Sequence, residues 1–266
     1  MLPAIDDGAP DLETALAMAR LAIADGIETT ACTPHIYPGL YENTAQSIRA
    51  GMEAFGSELA RAGLRLDLVC GADTHLVPDL LAGLRAGRIP TLAGSRYLLL
   101  EPPHHVAPPR FEESCFGLLA AGYVPVITHP ERLTWIQGHY AKFQALAQGG
   151  VWMQVTAGSL AGRFGPGARY YGERMLDEGI VHLLATDAHN TGRRAPALAE
   201  GRREAARWVG EEEAGRLVRG RPQAILDNAD PAAVAPPPGL RDPGGTPRPE
   251  AKPSLWARLF QRARRG

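Results

Sequence analysis

Residues 124–132 read VPVITHPER: a short β-branched run, then an imidazole, a proline, a carboxylate and a guanidinium. Val, Ile and Thr fit a pleated, packed strand. An apolar run without alternation marks a strand covered on both faces. The strand therefore delivers His129 at its carboxyl end, and the same grammar recurs along the chain. The runs IETTAC (27–32), LDLVC (66–70), YLLL (97–100), VWMQV (151–155) and VHLLA (181–185) are separated by stretches with helical spacing. One of these, 12–24, comes after Asp11, which is suited to cap it; others are 44–62, 111–121 and 171–178. Strands alternating with helices specify parallel βαβ units. Six such runs predict an α/β fold, either a closed barrel or a doubly wound sheet.

The residues just past each strand matter more than the strands themselves. After the runs come Thr33-Pro34-His35, Gly71-Ala72-Asp73, Glu101, His129 and Asp187-Ala188-His189. Parallel α/β folds gather the carboxyl ends of their strands on one face, where ligands bind. Taken singly, Asp73 and Asp187 read as helix N-caps. Glu101 resists that reading, since a carboxylate directly after a buried LLL run needs a partner. Together the five positions predict a metal site of imidazole and carboxylate without thiolate, a donor set suited to Zn, Mn or Fe in hydrolysis. Cys32, Cys70 and Cys115 are odd in number, lack zinc spacing and have no arginine six residues on, which excludes a Cys-x5-Arg thiol phosphatase. Cys32 and Cys70, lying within strands, are expected in the core.

The 266 residues carry a net charge of −1. Residues 251–266 hold five cations and no acid, which leaves −6 on the rest and argues against nucleic-acid binding. No apolar run reaches the ~20 residues that span a bilayer, and no signal peptide is visible, so a cytoplasmic setting is expected. Three segments are expected: a domain over 1–229, a Pro/Gly-rich linker over 230–253, and a basic amphipathic tail over 254–266. The tail, SLWARLFQRARRG, suits an anionic membrane surface or an acidic partner groove.

In order, IDDG, TPH, the GA-acid block with PDLL, LLLE, HPER and DAHN resemble the polymerase-and-histidinol-phosphatase (PHP) superfamily. They look closest to its bacterial protein-tyrosine phosphatases of capsule and exopolysaccharide synthesis. The resemblance implies a distorted (β/α)7 barrel holding up to three divalent ions, Mn with Fe or Zn as alternatives. The family pattern begins with a strand ending in His-x-His, and Met1 falls just after the second of these. The expectation is a start placed too late, with that first strand missing from the chain as written.

Carried over, one ion would take the two upstream histidines with Asp73 and Asp187. A second would take Asp73, Glu101 and His129, and a third Asp7, His35 and His189. Asp73 stands where the family has Glu, one methylene longer. Arg132 and Arg194 become the forks for phosphate oxygens, with Arg193 an adjacent alternative. The implied substrate is a phosphotyrosine protein, the cognate bacterial tyrosine kinase. Other readings are a small-molecule PHP phosphatase of the histidinol-phosphate type, a PHP nuclease, and a PHP protein impaired by loss of His-x-His.

Overall fold

The computed structural model describes residues 1–241, so the tail reading for 254–266 lies outside the described residues. The six runs become eight strands, all paired in parallel: β1 (Thr29–Cys32), β2 (His35–Ile36), β3 (Asp67–Cys70), β4 (Asp73–His75), β5 (Tyr97–Glu101), β6 (Val124–Thr128), β7 (Trp152–Thr156) and β8 (Leu183–Ala185). Two runs are interrupted and then resume. β1 pairs with β3 up to Cys32 opposite Cys70, and β2 pairs with β4 from His35 opposite Asp73. Between them lie Thr33-Pro34 on one chain segment and Gly71-Ala72 on the other. Pro34 has no N–H to give to a ladder. Gly71 is needed for close approach, because a Cβ there would sit 2.8 Å from Leu92 and 3.0 Å from Thr33. His35 and Asp73, expected in loops beyond strand ends, are thus neighbours inside resumed strands.

β2, β4, β5, β6, β7 and β8 form one sheet in that order, and β1 with β3 forms a separate two-stranded ladder. β1 and β8 do not pair with each other. Both line a cavity of about 490 Å³, with His35, Asp73, Asp187 and His189 also in its wall.

One helix, α1 (Leu12–Ala24), precedes the first strand, and the others follow strands: α2 (Ala45–Arg61), α3 (Leu80–Arg85), α4 (Phe111–Ala120), α5 (Ile136–Gln148), α6 (Ala157–Leu160), α7 (Gly165–Asp177), α8 (Ala199–Gly215) and α9 (Arg221–Leu226). Asp11 caps α1 by accepting from the Thr14 amide, and Thr44 with Ser47 forms a capping box on α2. α7 begins six residues before the expected 171, because Gly165-Pro166-Gly167 reads as a breaker although proline is at home in a first helical turn. Alternate residues of β5 serve two cores. Leu98 and Leu100 pack with α4 and α5, while Tyr97 and Leu99 join Val126, Trp152 and Leu183 on the other face. Burial on both faces is why these runs read as continuously apolar.

The first part of the expected linker is fastened to the domain. Arg221 Nε donates to the Ala235 carbonyl at 3.0 Å, and the Gly239 amide donates to the Gly179 carbonyl at 2.9 Å. A Cβ on Gly239 would lie 1.9 Å from the Glu178 carbonyl, so only glycine fits. Composition suggested an extended chain; two backbone-level contacts and two 3₁₀ turns, Pro231–Ala233 and Pro238–Leu240, hold it instead.

His182, just before β8, is buried and accepts a hydrogen bond at Nδ1 from the Met153 amide at 3.1 Å. Burial, aided by the Arg221 charge, holds its pKa well below the ordinary histidine value. The unfolded chain takes up a proton near pH 6.5 that the native state refuses. Stability is therefore full above that pH and falls as pH drops, at no more than about 1.4 kcal/mol per pH unit. Urea unfolding from pH 7.5 to 5.5 should show a larger loss in the wild type than in His182→Gln. Equal slopes would contradict it.

Candidate metal centre

Glu101 ends β5 at the centre of the cluster. Its Oε2 lies 3.2 Å from His35 Nδ1 and 3.4 Å from His75 Nδ1, and its Oε1 lies 3.3 Å from His129 Nε2. Burial opposes its charge, yet hydrogen bonds from His129, His35 and His75 hold the carboxyl far below the usual range. Asp73, on β4, is buried beside it and accepts from the Thr128 hydroxyl at 3.3 Å. Burial, reinforced by the Glu101 charge, pushes Asp73 up to about 7. A buried carboxylate and a half-buried one, with donor atoms within 4.8 Å of each other, need added positive charge.

Asp7 reaches the same pocket from the N-terminal loop, 3.5 Å from His35 Nε2 and 3.4 Å from His189 Nε2. The His189 hydrogen bond lowers its pKa to about 2. His35 joins the two halves. Burial works against its charge, but the Glu101 hydrogen bond and the Asp73, Glu101 and Asp7 charges hold it up at about 9. Asp7, His35 and His189 each offer a donor atom within 4.8 Å of the others, and so do His35, Asp73 and Glu101. The seven acids and imidazoles named from the sequence are linked by these contacts, with Asp187 joined through its 3.7 Å approach to His189.

Divalent cations fit this donor set on three counts. All donors are oxygen or imidazole nitrogen, Asp73 and Glu101 crowd negative charge into a buried space, and the buried Nδ1 of His129 has no hydrogen-bond partner. Backbone strain coincides with the site. His129 (φ 37°) and Asp187 (φ 48°) both lie in the left-handed region, where residues other than glycine are uncommon. His129 does so immediately before Pro130, which disfavours helical conformations for the preceding residue.

The two arginines named as phosphate forks both close on Asp187: Arg132 by a short ion pair, Arg194 at 2.7 Å. Burial opposes the Asp187 charge, and His129, Arg194 and Arg132 outweigh it, lowering its pKa. Arg132 also stacks on the Phe164 ring, 4.2 Å from its centroid, and the buried Nε of Arg194 has no partner. Arg193, by contrast, is tied to the Arg163 carbonyl.

Several participants escaped the sequence reading. His75 lies two residues beyond Asp73 on the same strand, and that i, i+2 spacing of an acid and an imidazole was the available signal. Asp6 accepts from the His35 amide at 3.1 Å and the Gly8 amide at 2.9 Å, which seats Asp7 beside His35. Glu131 of HPER is buried and accepts from the Thr156 amide and the Ser159 hydroxyl, bracing the His129–Arg132 turn against β7. Cys32 is buried as expected, whereas Cys70 is half-buried.

A family model described as capsular polysaccharide synthesis, CpsB/CapC, matches residues 1–227. The tyrosine-protein phosphatase YwqE of Bacillus subtilis is 31% identical over 230 residues, covering 86% of this chain and 87% of its own. The tyrosine-protein phosphatase CpsB of Streptococcus agalactiae is 26% identical, with 84% and 94% covered. A chain from the crystal structures of Bacillus subtilis YwqE and Streptococcus pneumoniae CpsB, described as unique metal-dependent tyrosine phosphatases, superposes with a TM-score of 0.82 at 30% identity. That match covers 86% of this chain and 92% of the other.

Proposed function

Because this chain belongs to the capsular polysaccharide synthesis family CpsB/CapC, we propose that it is a metal-dependent protein-tyrosine phosphatase acting in capsule or exopolysaccharide synthesis. The observation that carries the reading is the Glu101 carboxylate, met by His35, His75 and His129 within 3.4 Å beside the buried Asp73. In this reading Asp7, His35, Asp73, Glu101, His129, Asp187 and His189 hold up to three divalent ions, manganese with iron or zinc as alternatives. Such ions supply a Lewis acid that makes a water acidic near neutral pH and neutralises phosphate oxygens.

The chain's own groups do the rest. Arg132 and Arg194 present guanidinium donors to the phosphoryl oxygens, and Asp187 holds both in place. Phe164 backs Arg132 and keeps its plane from turning. Asp6 and Glu131 lock the two turns that carry Asp7 and His129. The proposed substrate is the phosphorylated tyrosine-rich segment of a bacterial tyrosine kinase. Among the described residues no helix is long and apolar enough to cross a membrane. Three unpaired cysteines suit a reducing compartment, and the proposed setting is the cytoplasm.

Purified protein should release phosphate from a phosphotyrosine peptide, lose that activity on chelation and regain it with Mn²⁺. Hydrolysis of histidinol phosphate with none of the phosphotyrosine peptide would replace the reading with a small-molecule phosphatase. Metal-loaded protein inert on both would reject it.

A further inference from the structure

The segment Tyr37-Pro38-Gly39-Leu40-Tyr41 leaves β2 two residues after His35 and turns back on itself. Its ends exchange two backbone hydrogen bonds, Tyr37 amide to Tyr41 carbonyl at 3.0 Å and Tyr41 amide to Tyr37 carbonyl at 2.8 Å. Gly39 takes φ +85° at the tip, and its amide donates to Glu42. The loop is therefore a closed, braced turn rather than a slack connection.

Both tyrosine rings lie against imidazoles of the cluster. Tyr37 stacks on His75 with centroids 3.8 Å apart and planes 8° from parallel, and Tyr41 stacks on His35 at 5.7 Å and 22°. The loop nonetheless keeps apolar surface in water: Tyr37 is 39% exposed and Leu40 61%. Of the seven large exposed hydrophobics among the described residues, these two sit in one five-residue turn at the edge of the cluster. Exposed apolar surface held rigid beside a polar pocket marks a ligand contact.

We infer that the 37–41 turn is the aryl-recognition element of the site, with Tyr37 and Leu40 packing against the phenyl ring of a phosphotyrosine whose phosphate occupies the Glu101 cluster. The inference rests on the phosphatase reading and adds the residues that select an aromatic over an alkyl phosphoester. Pre-bracing the turn means little ordering cost is incurred when the ring arrives. Ring-on-ring contact adds to the area buried.

Two non-hydrolysable probes separate ring binding from chemistry. Calorimetric titration of the metal-loaded full chain with phenylphosphonate and methylphosphonate should give tighter binding of the phenyl compound, by about tenfold. Leu40→Ser should cut that preference by about threefold, and Tyr37→Leu with Leu40→Ser should bring the two ligands within about twofold. A wild type without preference, or a preference unchanged in both variants, overturns the inference. If Tyr37→Leu disturbs metal content through His75, Leu40→Ser alone carries the test, since the Leu40 side chain is mostly in solvent. Failure of the phosphatase reading is a separate outcome. It would be seen as no turnover of a phosphotyrosine peptide by the wild type, whatever the ratio of the two phosphonates.

Discussion

Glu101→Gln should leave a folded protein that neither retains its full complement of metal nor turns over phosphotyrosine. Gln keeps the shape and the position at the end of β5 but removes the one charge that His35, His75 and His129 all share. A neutral amide cannot bind a hard divalent cation as a carboxylate does, and its NH₂ group would face imidazoles already arranged around an acceptor. Losing one such preorganised electrostatic group lowers kcat by about 10²–10³-fold. Elemental analysis and turnover of p-nitrophenyl phosphate should fall together, while far-ultraviolet circular dichroism stays unchanged. Wild-type metal content with wild-type turnover in this variant would remove Glu101 from the centre of the site.

The largest effect on stability is expected far from that cluster, at Arg221 on α9. Its side chain is 1% exposed and donates to Glu213 at 2.6 Å, to the Ala235 carbonyl at 3.0 Å and to the His182 carbonyl at 3.3 Å. One guanidinium thus ties α8, the entry to β8 and the segment after α9 to one another. Arg221→Ala leaves the buried Glu213 carboxylate with Arg216 and the more distant Arg241, and strands two carbonyls. Breaking a buried pair from one side costs about 3–5 kcal/mol. For a domain of this size that lowers the melting temperature by roughly 10 °C. Replacing both partners, as Arg221→Met with Glu213→Leu, should recover part of the loss, because no uncompensated charge remains. A single Arg221→Ala variant within 1 kcal/mol of wild type by urea unfolding would show that the contacts carry little net energy.

The sequence by itself determined the alternation of strands and helices, and the imidazole and carboxylate chemistry gathered at the strand ends. β5, β6 and β7 were legible because burial on both faces leaves uninterrupted apolar runs, and α1 because Asp11 caps an amphipathic stretch. His129, Glu101 and His189 were legible because each lies at or just past the carboxyl end of a strand, where parallel folds gather their ligands. Those signals are local, so one chain segment suffices to carry them. What the tertiary structure alone decided is which atoms meet. The split of two runs around Pro34 and Gly71 put His35 beside Asp73, and only pairing between strands 38 residues apart in register could reveal it. The convergence of Arg132 and Arg194 on Asp187, the recruitment of His75 by Glu101, and the fastening of residues 230–241 by Arg221 and Gly179 likewise join segments that carry no mark of one another. Periodicity reports how a residue sits in its own helix or strand. A shared buried charge is a property of the assembled interior, where carboxylates and imidazoles must find partners because water is absent.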